Sequence, residues 1–141
     1  MGMTESPKTG FTPYQPKKGE PYMSEPQKEH FRQILRAWRD DLTAEMDRAR
    51  HRMQDETINY PDPTDRATQE SEMTLELRTR DRERKLIRKI EEALDEVDTG
   101  EYGFCESCGA EIGLRRLEAR PTATLCIDCK SLAEIRERQM G

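Results

Sequence analysis

All four cysteines of this chain fall in two short-spaced pairs, Cys105-x-x-Cys108 and Cys126-x-x-Cys129. Two cysteines three apart can turn both sulfurs toward one point, and Gly109 lets the backbone bend tightly after the second. Two such knuckles supply four thiolates, which complete a tetrahedral shell around one Zn2+ and leave no position for water or substrate. The stretch between the pairs, Gly109 to Leu125, lies in the structural-zinc range. Redox pairs or disulfides are the competing reading, but the combined spacing is more specific for metal than a lone CxxC. The expected site is structural, not catalytic. No nucleophile–base constellation stands elsewhere, so the chain is not expected to be an enzyme.

Such a module is small, and metal binding on the order of 10 kcal/mol is what lets it fold. The rest of the chain must fold differently. Only 33% of the 141 residues are hydrophobic and 38% are charged, too little apolar material for one compact core of this length. Lys, Arg, Asp and Glu are mixed along the chain, which suits solvated helix faces. Long helices beside a stapled module are therefore expected. A net charge of −5 argues against sequence-independent adhesion to nucleic acid as the main activity. No apolar run is long enough to span a bilayer and no signal peptide precedes the body, so a cytoplasmic chain without a membrane partner is expected.

Residues 1–23 carry Pro7, Pro13, Pro16 and Pro21 with Gly10 and Gly19, which reads as an extended tail; Phe11, Tyr14 and Tyr22 are the side chains able to dock it. Residues 24–99 read as an antiparallel helical hairpin with its tip near 58–66. Ser24 and Gln27 have capping-box spacing, and Phe31, Leu35, Trp38, Leu42, Met46, Ala49 and Met53 recur at steps of three and four. Tyr60-Pro61 should stop the first helix. Asp62 then caps a second, with Pro63 at its first position, and Leu75, Thr79, Arg82, Leu86, Ile90, Ala93 and Val97 repeat the spacing up to Thr99-Gly100. Two helices of roughly 35 residues make an arm about 50 Å long. Its large apolar residues gather at the base, leaving the tip mostly solvated. Residues 100–130 form the four-cysteine zinc finger. A last helix is expected over 131–141, with Ser131 and Glu134 in capping-box spacing and Leu132 and Ile135 facing the finger or the hairpin base.

Charge is segregated along the arm. Asp55, Glu56, Asp62, Asp65, Glu70, Glu72 and Glu76 oppose Arg66 alone around the turn; Arg78, Arg80, Arg82, Arg84, Lys85, Arg88 and Lys89 follow on the shaft. Helix capping accounts for Asp62 and Asp65 by themselves, and a solvated face accounts for the basic run. Their placement on a long arm adds a second reading: an acidic tip able to enter a narrow channel, and a basic shaft able to bind phosphate or an acidic protein. Arg120 and Lys130 add to such an anion site if the finger folds back on the hairpin base.

The runs CESCGAEIGLRRLEARPTATLCIDCK, Cys105 to Lys130, and NYPDPTDRATQESEMTLELRTRDRERKLIRKIE, Asn59 to Glu91, resemble the DksA/TraR family of bacterial zinc-finger regulators. The resemblance covers nearly the whole chain beyond the first twenty residues. It implies a mostly α fold, a long coiled-coil hairpin plus a four-cysteine zinc finger and a C-terminal helix, acting as a monomer on RNA polymerase. It implies insertion of the hairpin into the polymerase secondary channel, with the family's tip motif at Asp62, Asp65 and Ala67, lowering open-complex stability at ribosomal RNA and amino-acid promoters. It further implies a site for ppGpp, shared with the polymerase rim, at Leu86, Lys89, Arg120 and Lys130. Two rivals remain from other classes. A DNA-binding finger is disfavoured by balanced charge over Gly103–Gly141 and the lack of a basic recognition helix. A transcript-cleavage factor of the same channel would use an acidic tip to recruit metal.

Overall fold

The computed structural model describes residues 10–56 and 63–140, with side chains for all of these but 55, 56 and 63–65. The order is α1 (Glu25–Glu56), α2 (Pro63–Thr99), α3 (Leu114–Ala119) and α4 (Ile127–Met140). Among the described residues the only β pairing is an isolated antiparallel bridge, Phe104 with Glu111. The mostly helical architecture expected from periodicity is the one observed.

The first two helices, 32 and 37 residues long, pack against each other. Arg32 reaches Asp98 at 3.1 Å and Arg52 reaches Glu76 at 3.9 Å, so the partner number falls as the first rises and the pair is antiparallel. Phe31, Ile34, Leu35, Trp38 and Leu42 on α1 bury against Leu86, Ile90, Ala93 and Val97 on α2. The apolar stripe at steps of three and four predicts this core, and its concentration at the base agrees with the observed burial. Toward the turn the seam departs from expectation. Leu75 is 62% exposed and Arg82 is also exposed; the expected Thr79 is half-buried, but the other half-buried or buried positions are Met73, Glu76, Arg80 and Glu83. Tracing steps of three and four back from Ile90 lands on those charged residues. Choosing apolar side chains instead shifts the register.

The tail is seated on the base. Tyr22 donates its hydroxyl to the Gly103 carbonyl at 2.6 Å and accepts the Gly113 N–H at 3.0 Å, while Met23 is buried in the core. Tyr14 donates its N–H to Glu118 at 2.9 Å. Glu20 gathers the Tyr14 hydroxyl at 2.8 Å, the Lys17 N–H at 2.9 Å and the Gln27 amide at 3.0 Å, and also takes the Ser24 hydroxyl. The Ser24 bond, with Lys17 and Tyr14, holds the Glu20 carboxyl down to about 2. The capping box is accordingly modified. The Ser24 carbonyl accepts the first helical bond from Lys28 at 2.9 Å, but Gln27 reaches back to the Met23 N–H at 2.6 Å.

The finger joins the base through Tyr102, whose ring packs tilted against Phe31 with centroids 5.6 Å apart and which donates its hydroxyl to the Pro121 carbonyl at 2.7 Å. His30 on α1 meets Glu118 on α3 at 2.7 Å. Two differences from the sequence reading concern helices here. The helix α3, six residues between Gly113 and Pro121, was not expected. The last helix begins at Ile127, ahead of the Ser131 start, so Ser131 lies inside it. Leu132 and Ile135 are exposed at 53% and 43%, not packed, and none of α4 is buried.

Candidate metal centre and anion groove

The first knuckle is built by local hydrogen bonds. The Cys105 N–H bonds the Ala110 carbonyl and the Gly109 N–H returns to the Cys105 carbonyl, both at 2.8 Å. Gly109 sits at φ 78°, a left-handed turn that glycine adopts without strain. The second knuckle is braced from two sides: the Glu106 N–H bonds the Thr124 carbonyl at 2.9 Å, and Arg116 on α3 donates Nε to the Leu125 carbonyl at 3.1 Å. Cys126 stands just before α4 and Cys129 in its first turn, where unpaired helix amides favour negative charge.

These elements bring all four sulfurs within 4.8 Å of one another. Cys108 and Cys126 are 3.7 Å apart, and a tetrahedron with Zn–S bonds of about 2.3 Å has edges of about 3.8 Å. Electrostatics agree with the geometry. The backbone N–H of Cys126, with those of Cys108 and Ser107, pulls the Cys105 thiol down to about 6. The neighbouring sulfurs of Cys126, Cys108 and Cys105 push Cys129 up to about 12. Cys105 loses its proton readily while Cys129 is held back by the sulfurs beside it, and a cation among the sulfurs would relieve that opposition. The residues present fit a closed, four-coordinate ion.

Beside the finger, α2 and the loop after α3 enclose a groove of about 500 Å3. It brings together all four residues expected at an anion site: Leu86 and Lys89 from α2, Arg120 from the end of α3, and Lys130 from the first turn of α4. Arg82, Lys85 and Arg116 extend the basic wall, and Leu125 and Ala93 supply an apolar floor. Sequence reasoning missed Thr122 and Thr124, which line the same space, and the acidic residues Glu92, Glu96 and Glu106. The two α2 glutamates were legible in principle, because they lie three and seven residues after Lys89 on one helical face. The threonines depend on how the loop folds over the shaft.

Asp62 lies outside the described residues. Asp65 belongs to the first turn of α2, with its side chain outside the described set, and Ala67 is exposed on the same helix.

Residues 27–97 match the family described as DnaK suppressor protein DksA, N-terminal domain. Residues 100–134 match the prokaryotic dksA/traR C4-type zinc finger. Among similar proteins, the RNA polymerase-binding transcription factor DksA of Escherichia coli K12 is 66% identical over 132 residues, 94% of this chain and 87% of that protein. Its namesake in Haemophilus influenzae is 62% identical, covering 94% and 91%. A solved structure of transcription factor DksA2 from Pseudomonas aeruginosa superposes with a TM-score of 0.81 at 41% identity, covering 88% of this chain and 94% of that one. The finger match and the clustered thiols together make Cys105, Cys108, Cys126 and Cys129 the site of one structural Zn2+.

Proposed function

The chain belongs to the DksA family, and from that membership we propose that it is a transcription regulator that binds bacterial RNA polymerase directly. In this reading it acts as a cytoplasmic monomer and makes no sequence-specific DNA contact. The hairpin enters the secondary channel, and the tip at Asp62, Asp65 and Ala67 reaches the neighbourhood of the polymerase active centre, where it lowers open-complex stability. The groove holds ppGpp against the polymerase rim and couples the effect to ribosomal RNA and amino-acid promoters.

The observation that carries this reading is the convergence of Leu86, Lys89, Arg120 and Lys130 on one groove from three separate parts of the chain. Ammonium and guanidinium donors in that arrangement suit the phosphates of a polyphosphorylated nucleotide, and Leu86 with the apolar floor suits its base. The zinc contributes position rather than chemistry. Its closed shell binds no substrate, and the knuckles hold Arg120 and Lys130 opposite the basic shaft.

Single-round transcription from a ribosomal RNA promoter, with and without ppGpp, tests the proposal. Asp65→Asn is expected to bind polymerase normally and to lose promoter inhibition. Lys89→Ala and Arg120→Ala are each expected to raise the ppGpp concentration needed by roughly tenfold or more, the value of a charge-assisted hydrogen bond. Full inhibition by Asp65→Asn would refute the tip assignment, and an unchanged ppGpp response in both other variants would refute the groove assignment. Stimulated cleavage of stalled RNA would favour a cleavage factor instead.

A further inference from the structure

The groove is not uniformly basic. Its α2 wall runs Arg82, Lys85, Lys89 and then Glu92 and Glu96, so the sign of charge reverses along a single helical stripe. Glu106, from the first cysteine knuckle, closes the same end. The carboxylates feel one another: burial first, then repulsion from Glu101, Glu106 and Glu92, pushes the Glu96 carboxyl upward. The distance from Lys89 to Glu92 is one helical step of three, about 5–6 Å between Cβ atoms. A polyphosphate seated on Lys89, Arg120 and Lys130 is therefore within Coulomb range of carboxylates lining the same groove, Glu92 exposed and Glu96 half-buried. A groove selected only for tight anion binding would not place two glutamates there.

We propose that Glu92 and Glu96 are affinity-setting residues of the groove, opposing the bound polyphosphate so that the site fills only at high ligand concentration. The proposal rests on the reading of the groove as a ppGpp site. It assigns the α2 glutamates the opposite role to Lys89. The basic end captures the ligand, and the acidic end holds its half-saturation point above what the basic end alone would give. A polyphosphate that signals by changing its concentration needs such an offset, because a site saturated at the resting level reports nothing.

The test is equilibrium binding of labelled ppGpp to the full-length protein assembled on RNA polymerase. Glu92→Gln, Glu96→Gln and the double variant keep side-chain size and remove charge. Each single change is expected to tighten binding roughly three- to tenfold, and the double change by more than either. The gain should shrink as ionic strength rises, because the screening length falls from about 10 Å at 0.1 M salt to about 3 Å at 1 M. Glu91→Gln removes the same charge from an exposed α2 position that does not line the groove and is expected to change nothing. Unchanged binding in the double variant would overturn the proposal, as would an equal gain in Glu91→Gln, which would mark a net-charge effect. Weaker binding would overturn it too, showing that the carboxylates accept hydrogen bonds from the ligand. Lys89→Ala separates the two levels. If it leaves ppGpp binding intact, the groove is not the ppGpp site. If it abolishes binding while the glutamine variants show no gain, only the affinity-setting role fails.

Discussion

Gly103 has no side chain because the tail leaves no room for one. It sits at φ 92°, and a Cβ built there would lie 3.0 Å from Met23 Cγ, 3.0 Å from the Tyr22 hydroxyl and 3.1 Å from Met23 Sδ. Those neighbours are not free to move aside, since Met23 is buried and Tyr22 is hydrogen-bonded on both sides of the finger loop. Gly103→Ala is expected to cost about 1–3 kcal/mol through its left-handed backbone and this crowding. Urea unfolding would measure the loss; unchanged stability would mean that neither the backbone at Gly103 nor the docked tail constrains this position. At this scale the sequence is informative about candidates and silent about partners. Tyr14 and Tyr22 stand out as aromatic residues in a proline-rich stretch, so their docking was foreseeable. That Tyr22 closes on Gly103 was not, because the pair is separated by 81 positions and no local period links them. The four zinc ligands were fully legible, because each knuckle is a local motif and only their meeting requires the fold.

Among the elements, α4 depends most on the metal. None of its 14 residues is fully buried, and isolated helices of that length are marginal in water. What anchors it is its start, where Cys126 and Cys129 enter the zinc shell. The α1–α2 pair, in contrast, has its own apolar core. Chelating the zinc is therefore expected to melt α4 and loosen α3 while most of the helical circular dichroism signal persists, since α1 and α2, with 32 and 37 residues, far outweigh α3 and α4, with 6 and 14. The thermal midpoint should fall, because Tyr102, Ile112 and Leu117 of the finger belong to the same core as the hairpin base. Complete loss of helical signal would mean that the hairpin cannot stand without the finger. The metal also explains why the start of α4 was misplaced. Ser131 and Glu134 carry a real capping signal, but the second knuckle must orient both sulfurs, and helical geometry from Ile127 onward does so. The short α3 was hidden for a similar reason: six residues give too little periodicity to detect, and it is held by Leu117 in the core and Arg116 on the second knuckle.

Taken whole, the molecule is a well-packed base carrying an arm whose packing weakens with distance. Large buried apolar residues extend on α1 only as far as Leu42, with the small Ala49 beyond them, and on α2 only as far as Leu86. Past that point the seam holds a charged layer. Arg80 meets Glu76 at 3.3 Å and Glu83 at 3.1 Å, and its Nε is buried with no hydrogen-bond partner among the described residues. Burial pushes the Glu83 carboxyl upward despite Arg80 beside it, so desolvation outweighs attraction there. Alongside lies a groove lined by Met46, Met53, Met73 and Leu77, and methionine side chains specify packing loosely. The gradient in apolar residues was readable from sequence, but the charged layer was not, since a seam is normally sought among apolar side chains. Such a layer limits stability, as two desolvated charges commonly cost more than their attraction returns. Replacing it with Arg80→Met and Glu83→Leu together is expected to raise unfolding free energy by about 1–4 kcal/mol and to slow amide exchange in the distal halves of α1 and α2. In the unaltered protein, exchange should be slowest at Leu35 and Ile90 and quicken steadily toward the turn. A stability loss in the double variant, or uniform protection along the arm, would show instead that the charged layer holds the shaft together, and that its rigidity extends far beyond the apolar base.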